Sequence, residues 1–132
     1  MNKTLKDRVA LVTGGSGRVG GGVAEGLAEA VATVYFTART LNQTSKTPGT
    51  VGSLDETAER INQIGGKAFP IQCDHTNDVQ VRDVFRSIER AQGRLDILVN
   101  AVWGGYKHLR AEGKDRMTMP PQCFLGHSAD LQ

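Results

Sequence analysis

The chain has 132 residues, 39% hydrophobic and 23% charged, the length and mix of one folded soluble domain and not of a disordered tail. Lys and Arg number 16 against 14 Asp and Glu, and the formal charge of +2 is too small to favour nucleic acid or an acidic membrane. Cys73 and Cys123 have neither disulfide-framework nor zinc-ligand spacing, the N-terminus carries no apolar signal core, and no stretch approaches the ~20 apolar residues of a membrane span, so a reducing cytoplasm is the expected setting.

Val9 to Val12 is a short, β-branched run that closes on Thr13 and a glycine cluster, as a strand buried on both faces does. From Val19 the apolar residues Val19, Val23, Leu27, Ala30 and Val31 recur at helical spacing and predict a helix with that stripe inward. Thr33 to Thr37 is a second strand, so the opening segment reads as one βαβ unit with a parallel crossover. Arg39 to Gly52, with Pro48 and Gly49, has no period and reads as a long loop. Ser53 and Glu56 form an S-x-x-E capping box for a second helix, which shares an apolar face of Leu54, Ala58, Ile61 and Ile64 and stops at Gly65-Gly66.

Ala68 to Cys73 is the third strand; Pro70 lacks a backbone donor and belongs on a sheet edge, where the order 3-2-1-4 puts it. Thr76 or Asn77 caps a third helix with Val81, Val84, Phe85 and Ile88 inward, ended by Gly93, and Leu95 to Asn100 is strand four. The expected fold is α/β, a Rossmann-type doubly wound parallel sheet represented by four strands over residues 1–110. Residues 111–132, with Pro120-Pro121, show neither period and form an unassigned tail.

Gly15-Ser16-Gly17-Arg18-Val19-Gly20 is a G-x-G-x-x-G run between a predicted strand and a predicted helix. There, bare glycines let the backbone approach a pyrophosphate, and helix N-terminal amides face its charge. The alternative is a glycine-rich turn with no ligand. Gly21 and Gly22 extend the cluster, each costing ~1 kcal/mol of helix stability relative to Ala, and the motif explains neither. After strand two stands Thr37-Ala38-Arg39-Thr40, with no acid to take a ribose 2′-hydroxyl and with Arg39 in reach of a 2′-phosphate. NADP is therefore favoured, with NAD as the second choice and a merely solvated loop arginine as the alternative. Arg18 is either a second phosphate cation or a side chain lying along the surface.

Through Thr13 to Gly20, Cys73-Asp74-His75-Thr76 and Gly93 to Asn100, the chain resembles the short-chain dehydrogenase/reductase family. The likeness covers roughly the first 110 residues. The long second loop and Trp103-Gly104-Gly105-Tyr106 look most like the subgroup around dehydrogenase/reductase member 1. The spacing T-G-x-x-G-x-x-G is that of the family's extended branch, and Val31 stands where a helix-ending glycine is common. The resemblance implies a dinucleotide held at Gly14, Ser16, Gly17, Arg18, Gly20, Arg39, Asp74 and Asn100. Asp74 would bond the adenine amino group or, alternatively, cap helix three; Asn100 would fix the turn after strand four.

The resemblance also implies hydride transfer between a nicotinamide and a carbonyl or alcohol, using a serine and a Tyr-x-x-x-Lys pair from the second half of the fold. That half lies beyond the likeness here: Tyr106 is followed at the fourth place by Arg110, and Ser128 lies in the patternless tail, so no catalytic residue is carried over. His75, His108 and His127 are too dispersed for a metal, and neither a nucleophile elbow nor a P-loop occurs. Trp103 and Tyr106 would line the nicotinamide side or simply cover the sheet. A strand four without a fifth beside it would present an apolar edge, which suits self-association. The rival reading is a non-catalytic nucleotide-binding or partner-binding module, and a third is a truncated or frame-shifted product.

Overall fold

A computed structural model of the chain describes residues 4–41 and 52–102. Four parallel strands, β1 (Val9–Thr13), β2 (Thr33–Ala38), β3 (Lys67–Gln72) and β4 (Ile97–Asn100), form one sheet in the order β3-β2-β1-β4. They alternate with α1 (Arg18–Glu29), α2 (Leu54–Gln63) and α3 (Asp78–Gln92). This is the doubly wound Rossmann arrangement expected from the run of elements. The expected tail, Tyr106 and the middle of the long second loop lie outside the described residues.

Alternation along the strands divides the core into two layers. Val12, Val34 and Phe36 pack with Ala24 and Ala28 of α1 and Leu54 and Ile61 of α2 on one face; Val9, Leu11 and Tyr35 pack with Val84 and Ile88 of α3 on the other. Every residue of β1 is buried, because it has a strand on each side and a helix layer above and below. Pro70 lies opposite Phe36 in the outermost strand, where its missing donor disrupts no second ladder. Among the described residues, no helix is long and apolar enough to cross a membrane.

Both C-terminal helices have the caps their sequences predict. The Ser53 hydroxyl accepts from Glu56 N–H, and the Glu56 carboxylate accepts in return from Ser53 N–H. Asn77, not Thr76, caps α3, accepting from the amides of Val79 and Gln80, and Gly93 closes that helix at φ +69°. Phe85, expected inside, is 39% exposed, whereas Val84 and Ile88 are buried.

Helix α1 departs from its predicted stripe. Its buried residues are Gly20, Gly21, Ala24 and Ala28, Val19 is 75% exposed, and Val23 and Leu27 are only partly covered. The helix lies so close to the sheet that only small residues fit beneath it, which displaces the larger side chains to the flanks. Ala30 and Val31 fall beyond its last turn. The Val31 amide bonds the Ala28 carbonyl at 2.9 Å and the Ala32 amide bonds the Leu27 carbonyl at 3.1 Å, the paired pattern of a Schellman ending.

That ending holds Val31 at φ +71°, a left-handed conformation that strains a β-branched residue by ~1–2 kcal/mol. Glycine relieves the strain but also gains freedom in the unfolded chain. Val31→Gly is expected to stabilise the domain by about 1 kcal/mol, raising Tm by roughly 4–8 °C. A thermal melt in which the midpoint fails to rise would show that no strain is stored there.

Candidate functional site

Because all four strands run the same way, their C-terminal ends meet at one edge of the sheet, the place where such folds receive ligands. The glycine turn follows β1, Arg39 follows β2, Asp74 follows β3 and Asn100 ends β4. The sequence-predicted residues are thus brought to one edge.

Within the turn, the glycines have different reasons to be glycine. Gly14 adopts φ +78°, and a Cβ there would lie 2.8 Å from Val102 N and 2.9 Å from Ala101 C, so the turns after β1 and β4 touch at this residue. A Cβ on Gly15 would meet the Cβ of Phe36 at 2.6 Å, and one on Gly20 would sit 2.1 Å from the Gly14 carbonyl oxygen. Gly17 is unlike them: among the described residues the atom nearest to a Cβ there is Gly14 O at 3.7 Å, an ordinary contact that leaves room for a side chain. Gly17 is the N-cap of α1, offers no capping side chain, and is followed by a first turn without acidic residues. The result is a helix N-terminus with unspent amides and a bare backbone in front of it, which fits a diphosphate by both sterics and charge.

The turn is held from below. Gly15 N–H donates to Thr37 O at 2.7 Å, and Thr13 Oγ1 donates to Asn100 Oδ1 at 3.2 Å, tying the ends of β1, β2 and β4 together. Ser16 is half-buried in this turn and Arg18 is exposed at the first position of α1.

At the β2–β3 side, Arg39 is exposed while its carbonyl accepts from Gln72 Nε2 at 2.9 Å. Asp74 Oδ1 accepts from the amide of Thr76 at 3.0 Å and from its hydroxyl at 2.7 Å. The Thr76 amide first, then its hydroxyl, hold the Asp74 carboxyl below the usual carboxylate range, with lesser help from the charges of Arg39 and His75. An ionised carboxylate only accepts hydrogen bonds, the character needed opposite an exocyclic amine. Asp74 therefore organises the loop before α3, while the cap proper is Asn77.

The short chain dehydrogenase family model matches residues 8–115. The chain belongs to the short-chain dehydrogenase/reductase family. It is 37% identical over 102 residues to dehydrogenase/reductase SDR family member 1 of Mus musculus, covering 76% of this chain and 29% of that protein. The chain thus spans less than a third of that relative. It is 34% identical over 96 residues to the short-chain dehydrogenase/reductase homolog YusS of Bacillus subtilis, which it covers to 78%. A crystal structure of hydroxysteroid dehydrogenase from Escherichia coli superposes with a TM-score of 0.65 at 28% identity, over 79% of this chain and 40% of that one.

Two features of this family member were not legible as site residues in the sequence. Thr57, fully buried in α2, donates to the Gly15 carbonyl at 2.8 Å, although a threonine in the second turn of a capped helix gives no such signal. His75, set aside above as a metal ligand, places Nε2 2.7 Å from the hydroxyl of the buried Thr37, pinning the loop after β3 to the end of β2.

Burial pushes the His75 pKa down, with the Asp74 charge opposing it. A folded-state pKa below the unfolded value of ~6.5 means that its contribution is complete above that value and is lost as pH falls through the window beneath it. Urea midpoints of wild type and His75→Gln are expected to converge between pH 7 and pH 5. A gap that stays constant over that interval would exclude His75 as the titrating group.

Proposed function

We propose that the C-terminal edge of the sheet binds NADP, with the diphosphate at Gly14, Ser16, Gly17, Arg18 and Gly20, the 2′-phosphate at Arg39, the adenine at Asp74, and Asn100 steadying the turn beside the nicotinamide. Gly17 carries the reading: among the described residues it is the one glycine of the G-x-G-x-x-G run that packing does not require, and it stands at the start of α1, where it offers the helix amides no side-chain cap. When bound, such a cofactor gives or takes a hydride, and the reaction of the whole protein is the interconversion of a carbonyl and an alcohol. This chain's residues bind and orient the dinucleotide. The catalytic serine and Tyr-x-x-x-Lys pair of the family have no counterpart assigned in it. A cytoplasmic setting agrees with Cys73 being buried and unpaired.

The preference for NADP rests on a guanidinium at the end of β2 where an NAD-binding site would place an acid. Titrating the chain with NADPH and NADH, followed by nicotinamide fluorescence, is the direct test. Tighter binding of NADPH is expected; equal affinity removes Arg39 from this role, and silence with both removes the nucleotide site altogether.

A second reading has its own observation. β4 alternates between half-buried and exposed residues, Leu98 is 48% exposed, and a recess of about 290 Å³ lined by Phe85, Ile88, Glu89, Gly93, Arg94 and Leu95 lies near its start. An apolar strand edge of this kind suits pairing with another strand, from a partner or a second copy. Light scattering on the purified chain separates the two: a dimer supports this use of the edge, a monodisperse monomer opposes it.

A further inference from the structure

Gly21, which the glycine motif leaves unexplained, lies against a cluster that joins α1 to α2, buried at Thr57 and exposed at Arg60. A Cβ there would come within 3.1 Å of Arg60 Nη2, 3.3 Å of Thr57 Oγ1 and 3.4 Å of Gly15 O. Those atoms are linked: Thr57 Oγ1 donates to Gly15 O at 2.8 Å, Arg60 Nη2 donates to Thr57 Oγ1 at 3.3 Å, and Arg60 Nε pairs with Glu25 of α1. A second support comes from Gly52, at φ +84°, where a Cβ would stand 2.4 Å from Ser16 O. The start of α2 and Gly52, two residues ahead of it, thus press against two successive carbonyls of the glycine turn.

A trans peptide carries its carbonyl and the following amide on opposite sides of its plane. Holding the Gly15 carbonyl toward α2 therefore turns the Ser16 amide away from α2. We propose that Thr57 is a positioning residue of the phosphate-binding turn: its hydroxyl fixes the Gly15 carbonyl and so aims the Ser16 amide at the diphosphate, while the absence of a side chain at Gly21 spares that bond a tight contact at 3.3 Å from Thr57 Oγ1. Arg60, held by Glu25, donates to the hydroxyl, and of the two carbonyls in reach of the hydroxyl's proton Gly15 O at 2.8 Å is much nearer than Ser53 O at 3.4 Å. The inference rests on the dinucleotide reading above and adds to it a residue that touches no part of the ligand.

The test uses the whole chain with NADPH, ADP and AMP as probes, since ADP carries the diphosphate and AMP does not. Thr57→Val keeps the side chain's shape and strands the Gly15 carbonyl. It is expected to weaken NADPH and ADP about tenfold, the scale of one buried hydrogen bond, and to leave AMP nearly unchanged. Thr57→Ser is expected to restore wild-type values. Equal losses for ADP and AMP reveal a structural role alone and overturn the inference, as does a Thr57→Val that binds ADP like wild type.

A measurement on the wild type needs no variant to fold: the Ser16 amide resonance should move on adding ADP and stay still with AMP. A Ser16 amide indifferent to ADP, in a chain that binds it, overturns the positioning role while leaving the nucleotide site standing. A wild type that binds none of the probes overturns both.

Discussion

Gly20→Ala should destabilise the domain by about 3 kcal/mol or more, lower Tm by on the order of 10–20 °C and abolish NADPH binding even where the chain remains folded. The single added carbon would sit 2.1 Å from the Gly14 oxygen and 2.8 Å from the Gly14 carbon. Those atoms are backbone, in a residue itself locked at φ +78° against Ala101 and Val102, so they have no rotamer by which to yield. Relief requires α1 to rise off β1, which separates Ala24 and Ala28 from Val12 and Phe36 and opens the turn. The normal helix-propensity gain of ~1 kcal/mol for Ala over Gly is too small to compensate. Gly22 supplies the control: among the described residues nothing lies within 4 Å of a Cβ there, so Gly22→Ala should stabilise the chain and leave binding alone. Thermal melts of the two variants decide the matter, and similar midpoints would mean that α1 does not ride on the Gly14 carbonyl.

Arg39→Glu is expected to lower NADPH affinity by about a hundredfold and to leave NADH affinity equal or improved, inverting the preference. A charge-assisted hydrogen bond contributes ~1.5–3 kcal/mol, and the substitution both removes it and sets a carboxylate against the phosphate. Arg39→Ala, which only removes it, should cost about tenfold. Since the side chain is exposed, the wild-type preference should shrink as salt screens the pair. The backbone of Arg39 is anchored through Gln72, so these substitutions leave the strand end in place. Parallel losses of NADPH and NADH across the variants would assign Arg39 a structural role and leave cofactor choice to other residues.

The individual elements were legible wherever local chemistry forms them. Ser53 and Glu56 announce α2 because a capping box is satisfied within one helical turn, and the edge position of β3 follows from the missing donor of Pro70. The buried face of α1 differs from its apolar stripe because periodicity reports where large hydrophobes fall. Here the decisive contacts are made by Gly20, Gly21, Ala24 and Ala28, whose value is in what they lack. Phe85 is exposed for a related reason: the pattern identifies a face, and only the packing of α3 decides how far around the helix it extends.

The candidate site divides in the same way. By its own order of residues, the chain determined a βαβ unit, a glycine turn at a helix start, a cation after β2 and an acid after β3, since each depends on neighbours in sequence. Tertiary structure alone decided that Thr57 braces Gly15, that His75 grips Thr37, and that Gly17 is the glycine of the G-x-G-x-x-G run where a Cβ would meet only an ordinary contact. Those contacts join residues far apart along the chain, and they exist only because parallel strands bring their ends to one edge and α2 folds back against the turn.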